Sequence, residues 1–334
     1  MNLAAVEIPR IPVGEAIEAV IDWLIATFGV LLDAIASVLE WTYDGLTTFL
    51  LTPTIIGLAL LFGVVAFALR GWKVGVAAFV GAAVLGYLAA VTSIPPVFVL
   101  SLTFALLGFA LRGWKFGLFS LIGFVLVGGM DLWDSSMETL SLVLIASALA
   151  VLLAVPVGIL AARNDTVSQL IRPVLDVMQT LPPFVYLIPA ILIFGVGPVP
   201  GAVATVIFAM APGVRLVELG IRQVDREVVE AGEAFGASPM KILARIQLPL
   251  ALPTIMAGVN QVIMLALSMV VIAGLVGAGG LGGDVYSAIS NAQIGEGFEA
   301  GIAVVILAIY LDRLTAALTS RSAVVRAAAA AGEQ

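Results

Sequence analysis

Residues 230–249 read Glu230-Ala231-Gly232-Glu233-Ala234-Phe235-Gly236-Ala237-Ser238-Pro239-Met240-Lys241-Ile242-Leu243-Ala244-Arg245-Ile246-Gln247-Leu248-Pro249. Good helix formers run from Glu227 to Phe235, and Gly236 supplies the left-handed turn that ends a helix. Ser238 then reads as an N-cap with Pro239 at the first helical position, opening a second short helix to about Ile246. Pro249 and Pro253 are expected to end that helix and set the entry of the next apolar run. The stretch lies within 215–250, which holds Glu218, Arg222, Asp225, Arg226, Glu227, Glu230, Glu233, Lys241 and Arg245. Such charge does not sit in hydrocarbon without severe cost, so 215–250 is expected to be a polar loop outside the membrane. A solvated loop explains the charge but not the ordered Gly, Ser-Pro and Leu-Pro punctuation. Two short, rigidly joined helices that dock a soluble partner explain both.

Around this loop the chain is nearly all apolar. Of 334 residues, 62% are hydrophobic and 11% charged. The mean hydropathy is +1.18. That balance points to a polytopic helical membrane protein in contact with lipid, of all-α class. A net charge of −7 argues against a nucleic-acid partner. The chain has no Cys and no His, which excludes thiol nucleophiles, disulfides, His-based triads and the usual zinc sites. No basic n-region with a short apolar core and a small-residue cleavage site opens the chain, so no cleaved signal is expected.

Apolar runs that approach the length needed to cross about 30 Å of hydrocarbon recur at 54–69, 74–91, 96–111, 116–130, 140–161, 181–197, 199–214, 252–276 and 299–316. The shorter ones imply tilted, broken or re-entrant neighbours. Arg70, Lys73, Arg112, Lys115, Arg163, Arg172, Arg215, Arg222, Arg226, Lys241, Arg245, Arg313, Arg321 and Arg326 all fall after odd-numbered runs. The alternate loops hold Asp131, Asp134, Glu138, Asp284, Glu296 and Glu299 and no basic residue. The positive-inside rule therefore places the 215–250 loop and the C-terminus in the cytoplasm.

Upstream, Ile17, Val20, Ile21, Leu24, Phe28, Leu31, Ile35 and Val38 recur at helical steps, opposite Glu18, Asp22, Asp33, Glu40 and Asp44. Residues 15–45 are expected to lie flat on the outer surface, anchored by Trp23 and Trp41, or to form a contact face for an external protein. Phe67-Ala68-Leu69-Arg70-Gly71-Trp72-Lys73 recurs 42 residues later as Phe109-Ala110-Leu111-Arg112-Gly113-Trp114-Lys115. This is read as a duplicated helical hairpin serving as scaffold. The chain thus divides into 1–50, an amphipathic N-terminal segment; 51–130, the repeat hairpins; 131–320, a core containing the 215–250 loop; and 321–334, a tail.

The pattern Glu230-Ala231-Gly232-x3-Gly236-x9-Ile246-x-Leu248-Pro249 resembles the "EAA" loop of type I ABC importer permeases, with every spacing kept. Gly232 departs from the Ala usual there. The resemblance implies that Glu230, Ala231, Gly232 and Gly236 dock in a groove of a cytoplasmic ABC ATPase, with Ile246, Leu248 and Pro249 as the structural exit. Asp176-Val-Met-Gln179-Thr180-Leu-Pro182-Pro183-Phe-Val-Tyr186-Leu-Ile-Pro189, Pro253-Thr-Ile-Met-Ala-Gly-Val-Asn260-Gln261, Ala266-Leu-Ser268-Met269 and Gly279-Gly280-Leu-Gly282 closely resemble glycine betaine/proline betaine permeases. That likeness covers about 95–318, with 52–93 an extra hairpin relative to the pattern. It implies a permease subunit of the inner (cytoplasmic) membrane, not itself an enzyme. It further implies a second permease copy in a homodimer, an extracytoplasmic substrate-binding protein, and ATP-Mg bound by the ATPase while this chain binds no cofactor. It leaves glycine betaine, proline betaine, choline, carnitine, proline and methionine unseparated as substrates.

A quaternary ammonium solute favours aromatic and soft polar walls. Tyr186, Met264, Ser268 and Met269 lie in or beside Pro-rich or small-residue helices, and Gln179, Asn260 and Gln261 are uncharged polar groups near inner span ends. Each is a candidate for the pathway; as plain structure, the polar ones are helix–helix glue. Gly277-x-Gly279-x-x-Gly282 matches a dinucleotide fingerprint by letter but lacks any βαβ context, so an outer turn is the better reading. No GxxxxGK[ST] occurs, so the nucleotide engine is expected on another chain. An ion-coupled secondary transporter, the competing class, would usually keep a charged group at midplane, and the runs hold almost none.

Overall fold

The computed structural model describes residues 12–52 and 96–320, and these are helical apart from short turns. The runs at 54–69 and 74–91, the first copy of the repeat and the 321–334 tail lie outside the described residues. Helix α1 spans Val13–Leu51. Its apolar row Ile17, Val20, Phe28, Leu31, Ile35 and Val38 is exposed. Its last turns instead press Tyr43, Leu46, Phe49 and Leu50 against the core. At 38 residues, Gly14–Leu51 is long and apolar enough to cross a membrane, which the amphipathic reading had not counted as a span.

The other seven runs all become helix, with altered bounds. Helices α2 (Pro96–Arg112) and α3 (Trp114–Gly129) form a hairpin closed at Gly113, whose φ of +88° is open to glycine. The second repeat copy therefore brackets that turn. At 17 and 16 residues, α2 and α3 give about 24–26 Å of helix at 1.5 Å per residue, short of a full crossing. Helix α4 runs Trp133–Arg163. The expected span at 181–197 is a shorter helix, α6 (Pro183–Phe194), which meets the unexpected helix α5 (Asp165–Thr180) at 96°. Pro182 and Pro183 force this, because neither continues the hydrogen-bond ladder of α5. The described residues thus hold five helices long enough to cross, or six with the bent pair, against seven expected in 96–316 plus none from α1.

Helix α7 covers Pro198–Arg222, α8 Arg226–Ala234, α9 Pro239–Ile242 and α10 Leu248–Ala273. Helix α11 spans Gly280–Ser290 and α12 spans Ile294–Ser320. α11 was not expected: it is short and follows a glycine-rich turn, so it carries no periodic signal. Its start is held by α4, where Glu138 Oε2 accepts from Gly280 N–H at 2.8 Å and Thr139 Oγ1 from Leu281 N–H at 2.8 Å. Gly277 and Gly279 lie in the turn before it, with φ of +79° and +74°.

The core is a slab of α4, α7 and α10 with α7 in the middle. Small residues let the backbones close: a Cβ on Gly158 would meet Val217 Cβ at 2.6 Å, and one on Gly258 would meet Leu216 Cβ at 2.9 Å. With no hydrophobic drive between helices in lipid, such close van der Waals contact holds them together. A second centre joins α2, α3 and α12, where Phe104, Phe116, Phe124 and the buried Tyr310 meet in stacked and edge-on pairs with centroids 4.5–5.7 Å apart.

Two expectations about the polar loop are corrected. α7 continues through Arg222, so 215–222 is helix rather than loop, and Glu218 is buried inside it. Pro249 and Pro253 do not end the second short helix either. The chain stays helical from Pro239 through Val276, because residues 243–247 form a π-turn. Leu248 N–H bonds the carbonyl of Leu243, five residues back, and this widened turn makes room for the Pro249 ring.

Candidate docking loop and pathway

The loop between the stems of α7 and α10 is built by local rules. Asp225 caps α8, its Oδ1 accepting from Glu227 N–H at 2.9 Å. The far end closes as a Schellman turn. Gly236 N–H bonds Glu233 O at 2.8 Å, Ala237 N–H bonds Gly232 O at 3.1 Å, and Gly236 sits at φ +75°. Ser238 and Pro239 occupy the N-cap and first helical positions, though the Ser238 side chain makes no capping bond.

Gly232 connects the two halves of the quoted motif. A Cβ there would lie 2.8 Å from Ile246 Cδ1 and 3.5 Å from Ile242 Cγ1, so α8 rests on the π-turn at this point. The long spacing from Gly232 to Ile246 is therefore a packing distance. Glu230 and Glu233 are exposed yet line a cleft of about 300 Å³ with Arg226, Val229, Arg222 and Gln247 beneath α8. Ala231 is exposed, while Ile246, Leu248 and Pro249 are half-buried at the foot of the loop. α8 has no buried residue.

At the tip stands Phe235, 92% exposed, with Met240 and Val228 also open. Sequence reasoning passed over Phe235 as the end of a helix; the signal was an aromatic directly before Gly236 in a charged segment.

The pathway candidates separate into three groups. Gln261, Met264 and Ser268 share an exposed stripe along α10, at the i, i+3 and i+7 positions. Ser268 Oγ donates to Met264 O at 3.1 Å. Asn260 turns away, donating to Asp312 Oδ1 at 3.1 Å and accepting from Thr315 Oγ1 at 2.6 Å, both on α12. Met269 is fully buried against Leu187, Ala190 and Ala204. Tyr186 pins the corner: its hydroxyl donates to Met178 O at 2.7 Å, back across the α5–α6 bend. Gln179 is exposed near the end of α5.

A set of charges that the sequence left in the loop also assembles here. Arg215, Glu218 and Arg222 of α7 face Asp165, Ser168, Arg172 and Asp176 of α5. Their three- and four-residue spacing was visible in the sequence, but not which helix they face.

The chain is similar to several known proteins. Residues 154–323 match the model of the family described as binding-protein-dependent transport system inner membrane component. The glycine betaine transport system permease protein OpuAB of Bacillus subtilis is 44% identical over 309 residues, 92% of this chain and 94% of that one. A glycine betaine/carnitine transport permease protein of Listeria monocytogenes is 54% identical over 196 residues, 59% of this chain and 70% of the relative. The glycine betaine/proline betaine permease protein ProW of Escherichia coli is 51% identical over 192 residues, 58% of this chain and 54% of the relative. Among solved structures, an inward-facing MetNI methionine ABC transporter chain aligns with a TM-score of 0.51 at 23% identity, covering 56% of this chain and 95% of that one. That likeness speaks to the fold alone.

Proposed function

Because the chain belongs to the family of inner-membrane components of binding-protein-dependent transport systems, we propose that it is the permease subunit of an ATP-driven importer of glycine betaine or a related quaternary ammonium osmolyte. It is a multi-pass protein of the inner membrane and a transport component rather than an enzyme. The substrate class rests on the relatives, which are described as permeases for glycine betaine, carnitine and proline betaine.

The observation that carries the coupling role is the Schellman-closed turn at Gly236, which holds Phe235 rigid and bare at the tip of α8. In this reading Glu230, Ala231, Gly232 and Gly236 shape the element that docks on a cytoplasmic ATPase, and Ile246, Leu248 and Pro249 fix it to the stem of α10. Two copies of the chain face each other. ATP-Mg, bound by the partner ATPases, draws the paired loops together and opens the pathway outward to a substrate-loaded binding protein; hydrolysis resets it. The basic loops and the C-terminus face the cytoplasm, as the charge distribution supports. Gln261, Met264 and Ser268 would offer the solute a soft, weakly polar stripe on α10, with Tyr186 and Gln179 at the bend of α5 and α6. Asn260 and Met269 support the stripe from behind.

The test is uptake of labelled glycine betaine into proteoliposomes holding the chain, its ATPase and its binding protein. ATP-dependent uptake that fails when the 230–236 turn is disrupted supports both coupling and substrate class. Uptake of other solutes but not betaine discards the substrate class. Uptake independent of ATP overturns the reading.

A further inference from the structure

The charges between α5 and α7 form an antiparallel polar zipper. Starting from the loop end, Asp165 pairs with Arg222 at 2.7 Å. Glu218 then takes three donors on one oxygen: Ser168 Oγ at 2.7 Å, Arg222 Nε at 3.0 Å and Arg172 Nη2 at 3.3 Å. Farther along, Asp176 accepts from Arg215. The α5 members fall at steps of three, four and four residues and the α7 members at three and four, so each helix presents one continuous polar row. Glu218, at 5% exposure, is the one acidic or basic side chain buried among the described residues, whereas Asp165, Arg172 and Asp176 are largely exposed. The zipper has a dry hub and wet ends. Arg222 also donates to Ala161 O at 2.8 Å, so it grips the last turn of α4 as well.

Position gives this zipper its meaning. The α7 row ends three residues before α8, the exposed docking helix. The α5 row ends just before the 96° corner that leads into α6 and Tyr186. A charge row in register resists sliding, because a displaced Glu218 must find new partners or stand unpaired where it is buried.

We propose that this zipper transmits displacement of the docking loop to the α5–α6 corner, with Glu218 as the hub and Asp176–Arg215 as the pair nearest the pathway. These are positioning residues: only Arg222 also reaches the cleft beneath α8, and none needs to touch the solute. The inference rests on the proposed function above. It goes beyond that reading by naming how the loop reaches the pathway.

The experiment is the ratio of solute imported to ATP hydrolysed, in proteoliposomes with ATPase and binding protein. Three chains are compared: unaltered, Asp176→Arg, and the swapped pair Asp176→Arg with Arg215→Asp. Both positions are substantially exposed, so the bundle tolerates the changes. Asp176→Arg sets two guanidinium groups against each other. We expect it to keep ATPase docking and hydrolysis while the ratio falls about tenfold, within the usual span of coupling between sites. The swapped pair restores most of the ratio, which a merely structural role would not produce. An unchanged ratio in Asp176→Arg overturns the inference, and so does a fall that the swap fails to repair. Should Asp176→Arg not assemble, Glu218→Gln decides: it keeps the side-chain shape, and an unaltered ratio there overturns the proposal. Failure of the unaltered chain to bind the ATPase or to couple ATP to import refutes the proposed function instead, so the two failures are distinguishable.

Discussion

Replacing Gly236 by Ala isolates the docking turn from the rest of the bundle. At φ +75° any L side chain is strained, by roughly 1–2 kcal/mol for Ala and less for Asn. No atom lies within 4 Å of the added Cβ, so no steric clash joins this backbone cost. The two bonds of the turn are the only local ties at stake, the Gly236 N–H to Glu233 and the Ala237 N–H to Gly232. If strain shifts the turn out of its docking geometry, apparent affinity falls with the fraction of competent loop. An energy of 1–2 kcal/mol then corresponds to about a 5–30-fold weaker Kd for the ATPase. Titration of labelled ATPase into detergent-solubilised permease, read by anisotropy, measures this directly. Gly236→Asn should fall between the unaltered chain and Gly236→Ala. Gly232→Ala is the control: its Cβ crowds only the movable tip of Ile246, touches Ile242 at ordinary distance, and its φ is not positive, so binding should change by about twofold at most. Thermal unfolding should stay put in all three, because α8 buries nothing. Equal affinity of Gly236→Ala and the unaltered chain, or an Asn variant as weak as the Ala variant, refutes the argument.

Other outcomes follow from individual contacts. Phe235→Ala should weaken ATPase binding by about 1–2 kcal/mol without lowering the Tm, since the ring is bare in the free chain. Asn260→Leu removes the donor to Asp312 and the acceptor for Thr315, so the Tm should fall, at a cost of about 1–3 kcal/mol, while KM for uptake stays unchanged. A changed KM with an unchanged Tm would return Asn260 to the pathway. Glu138→Ala frees the start of α11, and hydrogen exchange at Gly280 should quicken by about tenfold, as expected for loss of a cap. The absence of Cys makes Ser268→Cys a clean probe: if the α10 stripe lines a wet pathway, a membrane-impermeant thiol reagent labels it and substrate slows the labelling. A stripe against lipid gives no labelling.

Much of the architecture could be read in the residues, and the errors have definable causes. The long apolar stretches of α4, α7, α10 and α12 stand out by hydropathy alone. The turn after α8 was legible because Gly236 and Ser238-Pro239 act through backbone preferences that need no tertiary partner. Pro249 misled because proline normally stops a helix; the π-turn that absorbs it depends on how α8 rests on Ile242 and Ile246. Helix α5 lay outside the expected spans because its polar row lowers its hydropathy, although Pro182-Pro183 marked the corner where the apolar α6 begins. Glu218 was assigned to solvent because a carboxylate is costly in an apolar helix. Its partners lie about 50 residues away in sequence, on a helix whose position only packing decides. Asn260 and Gln261 are neighbours of similar chemistry, yet one bonds α12 and the other faces outward. A one-residue step turns the side chain by about 100° around the helix, and only the location of α12 assigns the faces.

Glycine and charge are distributed so that the bundle has one stiff part and one adjustable part. Along α7 the contacts with α4 and α10 are made through Gly158, Gly213, Gly220 and Gly258, where added Cβ atoms would lie 2.6–3.0 Å from the neighbouring helix. Backbones that close have little room to slide, since interdigitated atoms must separate before they can shift. A push arriving through α8 therefore moves α4, α7 and α10 together. Against that slab, α5 is held by one small apolar cluster around Leu175 and by the charge row, and α6 continues from it through a proline corner. The charge row resists sliding of α5 along α7, because Glu218 at its hub would lose its partners where it is buried, so α5 follows the slab. Relative motion is thus left to the corner beyond the Asp176–Arg215 pair, where Pro182 and Pro183 interrupt the helical ladder. The stripe of Gln261, Met264 and Ser268 rides on the slab and Tyr186 sits at the corner, so a change of angle there changes the distance between the two sets of pathway candidates.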